Sequence, residues 1–201
     1  MNFLAHLHLA EPTPESQLGN LLGDFVKGYP WDDRFPRSIW QGIVEHRAVD
    51  AFTDQHVEWK LSRGLLPPHL RRFAGIVVDI YYDHFLYRHW DRFSESGSIG
   101  DFIRTVHRQL DSVLPLAPRE ASEVIQVMIE EEWLDSYGSL EGIELTLQRV
   151  SKRSPAIEPV FDAAAALRGQ LHEMESHFLK FYPDLISHVK TMRDERIAGV
   201  R

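Results

Sequence analysis

The stretch Ile76–Leu86, with the sequence IVVDIYYDHFL, predicts a helix buried in the core because nearly all of its residues are apolar or aromatic. Pro67 and Pro68 open the strongly apolar helix that we expect around it, which reaches to about Phe93. An unpaired carboxylate in such a helix costs several kcal/mol. The aspartates of this stretch must therefore be paired, hydrogen-bonded or bound to a metal.

Helical periodicity extends from this segment in both directions. We expect a preceding helix from near Pro36 to about Arg63, and Pro183 predicts the start of a last helix. No segment combines β-branched alternation with hairpin turn signals. The stretch Leu4–Leu9 does alternate, but it has no partner strand and is assigned to a helix. The sequence predicts an all-α fold, a single domain over residues 1–201 with about seven to nine helices.

Composition excludes several classes of function. The 201 residues include no cysteine, so any metal must be held by His, Asp or Glu. The formal net charge of −8 argues against broad nucleic-acid binding. No apolar run approaches the roughly 18 residues that span a bilayer, and the first residues do not resemble a signal peptide. We therefore expect a cytoplasmic protein that binds neither nucleic acid nor membrane.

The first half of the chain carries aspartates and histidines within apolar stretches. They are, in order, Asp24, His46, Asp50, Asp54, Asp79, Asp83 and His84. Spacing of four residues puts His46 and Asp50 on one helix face, and likewise Asp79 and Asp83. Any one of these residues alone is usually a solvated position or a hydrogen-bonded core residue. The coincidence of several His/Asp pairs favours a site.

The N-terminal histidines pose a choice. On a helix His6 and His8 lie about 200° apart, so only one can face a shared centre; His6 is the better candidate because Phe3 and Leu7 can pack around it. Five later histidines lie in ordinary amphipathic surroundings and are read as structural. These are His89, His107, His172, His177 and His188.

Motifs of other chemistries are missing from the sequence. It contains no G-x-S-x-G, P-loop, G-x-G-x-x-G or H-E-x-x-H pattern, and thiol catalysis needs a cysteine. Oxygen and imidazole ligands in a small helical protein favour metal-assisted hydrolysis.

Four sequence blocks in the first half also form a recognisable order. They are Asn2–Leu7 (NFLAHL), Gly19–Gly28 (GNLLGDFVKG), Gly42–Asp50 (GIVEHRAVD) and Asp83–Leu86 (DHFL). Together with Glu131–Leu134 (EEWL) and Phe178–Pro183 (FLKFYP), they resemble the bacterial acyl carrier protein phosphodiesterase family. The resemblance spans nearly the whole chain.

The resemblance implies an activity and a fold. Family members are described as divergent HD-type phosphohydrolases that use Mn or Mg to remove 4'-phosphopantetheine from the serine of holo-carrier, a step of fatty-acid and lipid metabolism. The usual His-Asp doublet of HD enzymes is reversed here, as Asp83-His84.

The resemblance also implies roles for individual residues. The expected metal ligands are a subset of His6, Asp24, His46, Asp83 and His84. Arg47 is expected to stabilise charge on the phosphoryl oxygens, with His46 or His84 protonating the leaving group. We keep Asp50, Asp54 and Asp79 as reserve ligands or as partners that orient a ligand.

An acidic carrier should meet a positive surface on its enzyme. We assign this role to Lys60, Arg63, Arg71 and Arg72, with the segment Arg149–Arg153 next in line, although either set could be ordinary solvated helix ends. Two other functions remain open at this stage. One is an HD-like enzyme acting on a nucleotide or another small phosphoester, and the other is a metal-stabilised binding protein without turnover.

Overall fold

The computed structural model describes residues 1–28, 32–95 and 97–199. Within these ranges the chain forms no strand, which confirms the predicted all-α class. Three short 3₁₀ segments occur, at Pro68–Phe73, Leu114–Leu116 and Pro155–Asp162. The α-helices of the described ranges are α1 Phe3–Leu9, α2 Pro14–Leu22, α3 Arg37–Gln55, α4 Val57–Gly64, α5 Ala74–Arg88, α6 Trp90–Phe93, α7 Ile99–Val113, α8 Arg119–Glu130, α9 Trp133–Ser136, α10 Leu140–Ser151, α11 Ala163–Leu167 and α12 Leu171–Ile197.

The described residues contain twelve α-helices, more than the predicted seven to nine, because predicted long helices are divided. The helix expected from Pro36 to Arg63 breaks at His56, whose backbone is extended at φ −70° and ψ 137°. The His56 ring then accepts the Glu58 N–H at 3.3 Å and caps α4. The helix expected from Pro67 to Phe93 begins as a 3₁₀ segment and breaks again at His89.

Pro183 lies inside α12 and does not begin a new helix. A proline in a helix interior removes one backbone hydrogen bond and costs about 3 kcal/mol in isolation. Here Phe181, Tyr182 and Leu185 are all fully buried on both sides of the proline. Their burial in the core holds the helix through the weak point, which sequence alone did not indicate.

Helix α5 lies at the centre of the core, as the apolar stretch Ile76–Leu86 predicts. Ten of its residues are buried, and it packs against α1, α4, α10 and α12. A helix buried on all sides needs no polar face. Its few polar side chains are therefore the ones whose partners have to be found. No helix in the described ranges is both long and apolar enough to cross a membrane.

Helices α2 and α3 lie in direct backbone contact. A Cβ at Gly19 would lie 2.3 Å from the Ile39 carbonyl oxygen and 2.8 Å from the Gly42 Cα. Only glycine at this crossing lets the two backbones approach so closely. The close approach brings the end of α2 against the middle of α3, where His46 lies.

Candidate metal centre

Three side chains from two helices converge beneath the N-terminus. His6 on α1 and His46 on α3 stack with ring centroids 3.9 Å apart. Asp50, one turn after His46, reaches both rings: Oδ1 lies 3.2 Å from His6 Nε2 and Oδ2 lies 3.0 Å from His46 Nε2. One potential ligand atom from each of the three residues lies within 4.8 Å of the others.

The position of the His46 ring is set by α2. Its Nδ1 lies 2.7 Å from the Asn20 carbonyl oxygen, which can only accept, so Nδ1 carries the hydrogen. A Cβ at Gly23 would lie 2.1 Å from the ring carbons Cγ and Cδ2. The glycine therefore provides the space for the ring, and the carbonyl turns Nε2 towards the carboxylates.

Charge and burial perturb each member of the cluster. Burial alone would lower the pKa of His46, but Asp24 and Asp50 outweigh it and raise this pKa to about 9. Burial, with the positive charge of His46, lowers the pKa of His6 to about 4. Burial would raise the pKa of Asp50, yet the neighbouring imidazoles and the Met1 amino group hold it well below its usual range. The cluster thus concentrates opposing charges in a small volume.

The cluster has the chemistry of a divalent-metal site. A neutral His46 would direct the Nε2 lone pair at an Asp50 oxygen 3.0 Å away, which is repulsive unless a proton or a cation lies between them. Both ring nitrogens of His6 are buried; within the described ranges Nδ1 makes no hydrogen bond, and Nε2 lies 3.2 Å from Asp50 Oδ1 without regular hydrogen-bond geometry. Two imidazole nitrogens and a carboxylate suit first-row divalent ions.

The predicted ligand Asp24 lies beside this cluster. Its Oδ1 is 3.5 Å from His46 Nε2, and its side chain is 68% exposed. The hydrogen bond with His46 lowers the pKa of Asp24, so the side chain is a carboxylate at neutral pH. Asp24 can supply a further oxygen ligand or bind a water next to the ion.

Two cavities meet at the cluster. The larger one, of about 620 Å³, extends from Asp24 and Asp50 to a basic wall at the end of α10. The smaller one, of about 380 Å³, is lined by the segment that follows α2 and by Arg47. Asp24 and Asp50 line both, so a group bound at the cluster can extend in two directions.

Asp83 does not join the His6–His46–Asp50 cluster. Its two carboxylate oxygens accept the N–H groups of Leu4 at 2.7 Å and Ala5 at 3.1 Å, in the first turn of α1. The side chain is fully buried, and burial raises its pKa to about 8 despite these two hydrogen bonds. Asp83 therefore anchors the helix that carries His6, where we had predicted a metal ligand.

His84 faces another part of the protein, whereas Arg47 lines the smaller cavity and donates to backbone carbonyl oxygens there. His84 Nδ1 donates to the Tyr137 carbonyl oxygen at 2.7 Å, and its ring lines a separate cavity beside Arg88. The adjacent residues Asp83 and His84 thus point to different parts of the protein. The guanidinium of Arg47 donates to the carbonyl oxygens of Gly28 at 3.1 Å and Val26 at 2.8 Å, which holds the segment after α2.

The three aspartates predicted as reserve ligands, Asp50, Asp54 and Asp79, also lie in different surroundings. Asp50 lies at the centre of the cluster, a position that its four-residue spacing from His46 already indicated. Asp79 accepts from Trp59 Nε1 at 3.0 Å and lies 3.3 Å from the Met1 amino group, so it does not orient a histidine. Asp54 is exposed in the wall of the larger cavity.

The remaining predicted residues lie away from the cluster. Among the histidines read as structural, His89 and His177 pair with Glu175 and Glu58, at 2.8 and 2.6 Å. The four residues of the predicted carrier surface belong to α4 and the 3₁₀ segment that follows, and none lines either cavity. They are Lys60, Arg63, Arg71 and Arg72.

Comparison with known proteins extends the sequence resemblance. The family model described as acyl carrier protein phosphodiesterase matches residues 1–185. The relatives that carry the same name include the following three. The Yersinia enterocolitica protein is 39% identical over 197 residues, covering 94% of this chain and 98% of its own. The Klebsiella pneumoniae subsp. pneumoniae protein is 37% identical over 186 residues, with 92% and 96% covered. The Enterobacter sp. protein is 36% identical over 190 residues, with 94% and 98% covered. No solved structure matches the chain.

Proposed function

The chain belongs to the acyl carrier protein phosphodiesterase family, and we propose that it hydrolyses the phosphodiester between 4'-phosphopantetheine and the serine of holo-acyl carrier protein. The products would be apo-carrier and free 4'-phosphopantetheine. The enzyme would act in the cytoplasm and depend on a divalent metal.

The observation that supports this proposal most is the convergence of His6, His46 and Asp50 within 4.8 Å at the junction of two cavities. The phosphorus of a phosphodiester carries two ester substituents, which extend from it in different directions. A cluster reached from two cavities can accommodate both substituents of a phosphodiester. A closed pocket would instead suit a terminal phosphate, which has one substituent. The pantetheine arm would occupy the larger cavity and the carrier's serine the smaller one.

The metal would be held by His6, His46 and Asp50, with Asp24 as a fourth ligand or a partner of a bound water. A divalent ion there would lower the pKa of a water and neutralise charge on the phosphoryl oxygens. By accepting a hydrogen bond from Nδ1 of His46, the Asn20 carbonyl would leave Nε2 as the nitrogen that holds the metal. Asp24, a carboxylate at neutral pH, would accept a hydrogen bond from the attacking water and orient it.

The donor set favours Mn over Mg as the working ion. Mg binds mainly oxygen ligands and keeps several waters, whereas imidazole suits transition metals. Two of the three converging ligands are imidazoles. We therefore expect Mn to support activity at lower concentration than Mg.

The test is incubation of the protein with holo-carrier and Mn, followed by mass spectrometry of the carrier. We expect the loss of one 4'-phosphopantetheine, abolished by exhaustive chelation and restored by Mn. Asp50→Asn and His46→Gln should lose bound metal and at least about 100-fold in rate. The matched controls Asp111→Asn and His172→Gln alter exposed residues outside the cavities and should retain both.

Each alternative predicts a different result. Hydrolysis of nucleotides or small phosphoesters without any loss of mass from the carrier would replace the proposed substrate. Bound metal without hydrolysis of either substrate class would make the protein a metal-stabilised binding protein. Undiminished carrier hydrolysis by Asp50→Asn, with metal still bound, would refute the assigned ligand set.

A further inference from the structure

Arg149, on α10, lines the larger cavity, and one of its guanidinium nitrogens has no hydrogen-bond partner in the described chain. Its guanidinium carbon lies 5.4 Å from the Trp133 ring centroid, and its Nε lies 3.3 Å from Glu131 Oε2. Its Nη1 is buried and makes no hydrogen bond within the described chain, while the side chain is only 25% exposed. A buried donor without a partner is destabilising, and more so when it is charged. Because the Arg149 side chain also lines the larger cavity, an anion bound there would supply its guanidinium with an acceptor.

The first three residues connect this arginine to the His6–His46–Asp50 cluster. The Met1 amino group lies 3.1 Å from Asp50 Oδ1. Asn2 donates to the Tyr137 hydroxyl at 2.9 Å, and the Phe3 ring stacks on Trp133 with centroids 6.1 Å apart. Residues Met1, Asn2 and Phe3 therefore line the cavity between the cluster and the Trp133 ring, which the Arg149 guanidinium contacts.

Two further features of the same cavity indicate the chemistry of its ligand. Lys152 and Arg153 are exposed in its wall and add positive charge beside Arg149. The cavity is also lined by five carboxylates, which a divalent ion at the cluster would offset in part: Asp24, Asp50, Asp54, Asp79 and Glu131. Ile76 and Val127 also line it, with 40% and 38% of their surfaces exposed, and give the cavity an apolar wall. Such a cavity fits an anionic group joined to a chain of partly apolar character.

We propose that Arg149 binds a phosphoryl oxygen of the substrate, in the cavity whose apolar wall holds the pantetheine arm. This inference rests on the proposed function, because it assigns that substrate to this cavity. It transfers to Arg149 the role that the sequence predicted for Arg47, whose terminal nitrogens already donate to two carbonyl oxygens. A guanidinium presents several N–H donors in a planar fork, and phosphate oxygens match that geometry.

The experiment compares two ligands that differ only in the phosphoryl group. Isothermal titration of the Mn-loaded protein with 4'-phosphopantetheine and with pantetheine gives two dissociation constants. Native protein should bind the phosphorylated ligand more tightly, and Arg149→Met should reduce that preference at least about tenfold. Pantetheine itself should bind Arg149→Met as it binds native protein. Arg149→Lys should retain part of the preference.

The matched control is Arg168→Met, which removes a highly exposed arginine outside the cavity and should bind both ligands as native protein does. Circular dichroism and metal content check that each variant is folded and loaded. If Arg149→Met fails that check, Arg149→Lys decides. An undiminished preference in a folded, loaded variant would overturn the proposal, and so would equal losses for both ligands. If native protein shows the preference but leaves holo-carrier intact, the proposed function fails while the role of Arg149 as a phosphoryl-binding residue stands.

Discussion

The ring of His46 lies against Gly23, and no larger residue at position 23 leaves room for it. A Cβ there would lie 2.1 Å from the ring. We expect Gly23→Ala to displace the imidazole, weaken Mn binding about tenfold or more and lower the free energy of unfolding by about 1–3 kcal/mol. Titration with Mn and urea unfolding measure the two effects.

Gly64→Ala is the control for this substitution. Gly64 ends α4, and a Cβ there meets nothing within 4 Å. Both glycines have helical backbone angles, so alanine should bring the same small gain in helix propensity at each. Normal metal binding by Gly23→Ala would mean that the ring has another position with the same function.

His8, two residues after His6, gives a pH dependence of stability. Its Nδ1 lies 2.8 Å from the Tyr182 hydroxyl, and burial lowers its pKa to about 4. The unfolded chain, with a histidine pKa near 6.5, binds more protons between these values, so stability falls as pH drops from about 6.5 to about 4. The full loss from this one group is about 3 kcal/mol.

Urea unfolding of metal-free protein at pH 7 and pH 4.5 measures that loss. His6 titrates in the same direction, so native protein should be compared with His8→Asn. The variant should lose about 2–3 kcal/mol less than native protein between the two pH values. Equal losses would show that His8 is already protonated, or accessible to water, in the folded state.

At the level of helices, the stability of α1 depends on Asp83, which accepts two N–H groups of its first turn. It has seven residues, and Asn2 makes no side-chain cap, so the two N–H bonds to Asp83 replace the missing cap. Asp83→Ala leaves two buried N–H groups without acceptors and should lower the free energy of unfolding by about 3 kcal/mol. Because α1 carries His6, metal binding should weaken as well.

Asp24→Ala provides the contrast. The Asp24 side chain is 68% exposed beside the cluster, so its loss should reduce turnover sharply with a change in stability below about 1 kcal/mol. Thermal unfolding and the carrier assay on both variants measure the difference. Equal stability of the two variants would refute the anchoring role of Asp83.

At the level of the whole molecule, the question is which surface meets an acidic carrier when the net charge is −8. Lys60 donates to the Gln55 carbonyl oxygen at 2.8 Å, and Arg63 lies over the Trp59 ring. Lys152 and Arg153 instead border the larger cavity, which Asp50 of the cluster also lines. We expect Lys152→Glu with Arg153→Glu to raise KM for the carrier several-fold, and Lys60→Glu with Arg63→Glu to change it little.

Added salt separates recognition from damage to the site. Exposed charges are screened over about 8 Å at physiological ionic strength, so the rate of native protein on the carrier should fall as salt rises. The Lys152/Arg153 variant should lose much of that salt dependence, and its rate on a small chromogenic phosphodiester should fall less than its rate on the carrier. The opposite ranking of the two double variants would restore the surface predicted from the sequence.

The all-helical class, the burial of α5 and the chemistry open to a cysteine-free site could all be predicted from the amino-acid sequence. It also determined that His46 and Asp50 share a face, because residues four apart on a helix are neighbours whatever surrounds them. These properties are local, since they follow from composition, from helical spacing and from the polarity of a single segment.

Which other residues join His46 and Asp50 depends on how the helices pack. His6 reaches His46 because α1 packs on α5 through Asp83, a contact between residues nearly 80 positions apart. Consecutive side chains on a helix diverge by about 100°, so Asp83 and His84 had to face different neighbours, and packing chose α1 for one and Tyr137 for the other. Arg149 gains its significance from the ring of Trp133 and from an N–H without a partner. Spacing along the chain carries no record of such long-range contacts, because they arise from how whole helices pack.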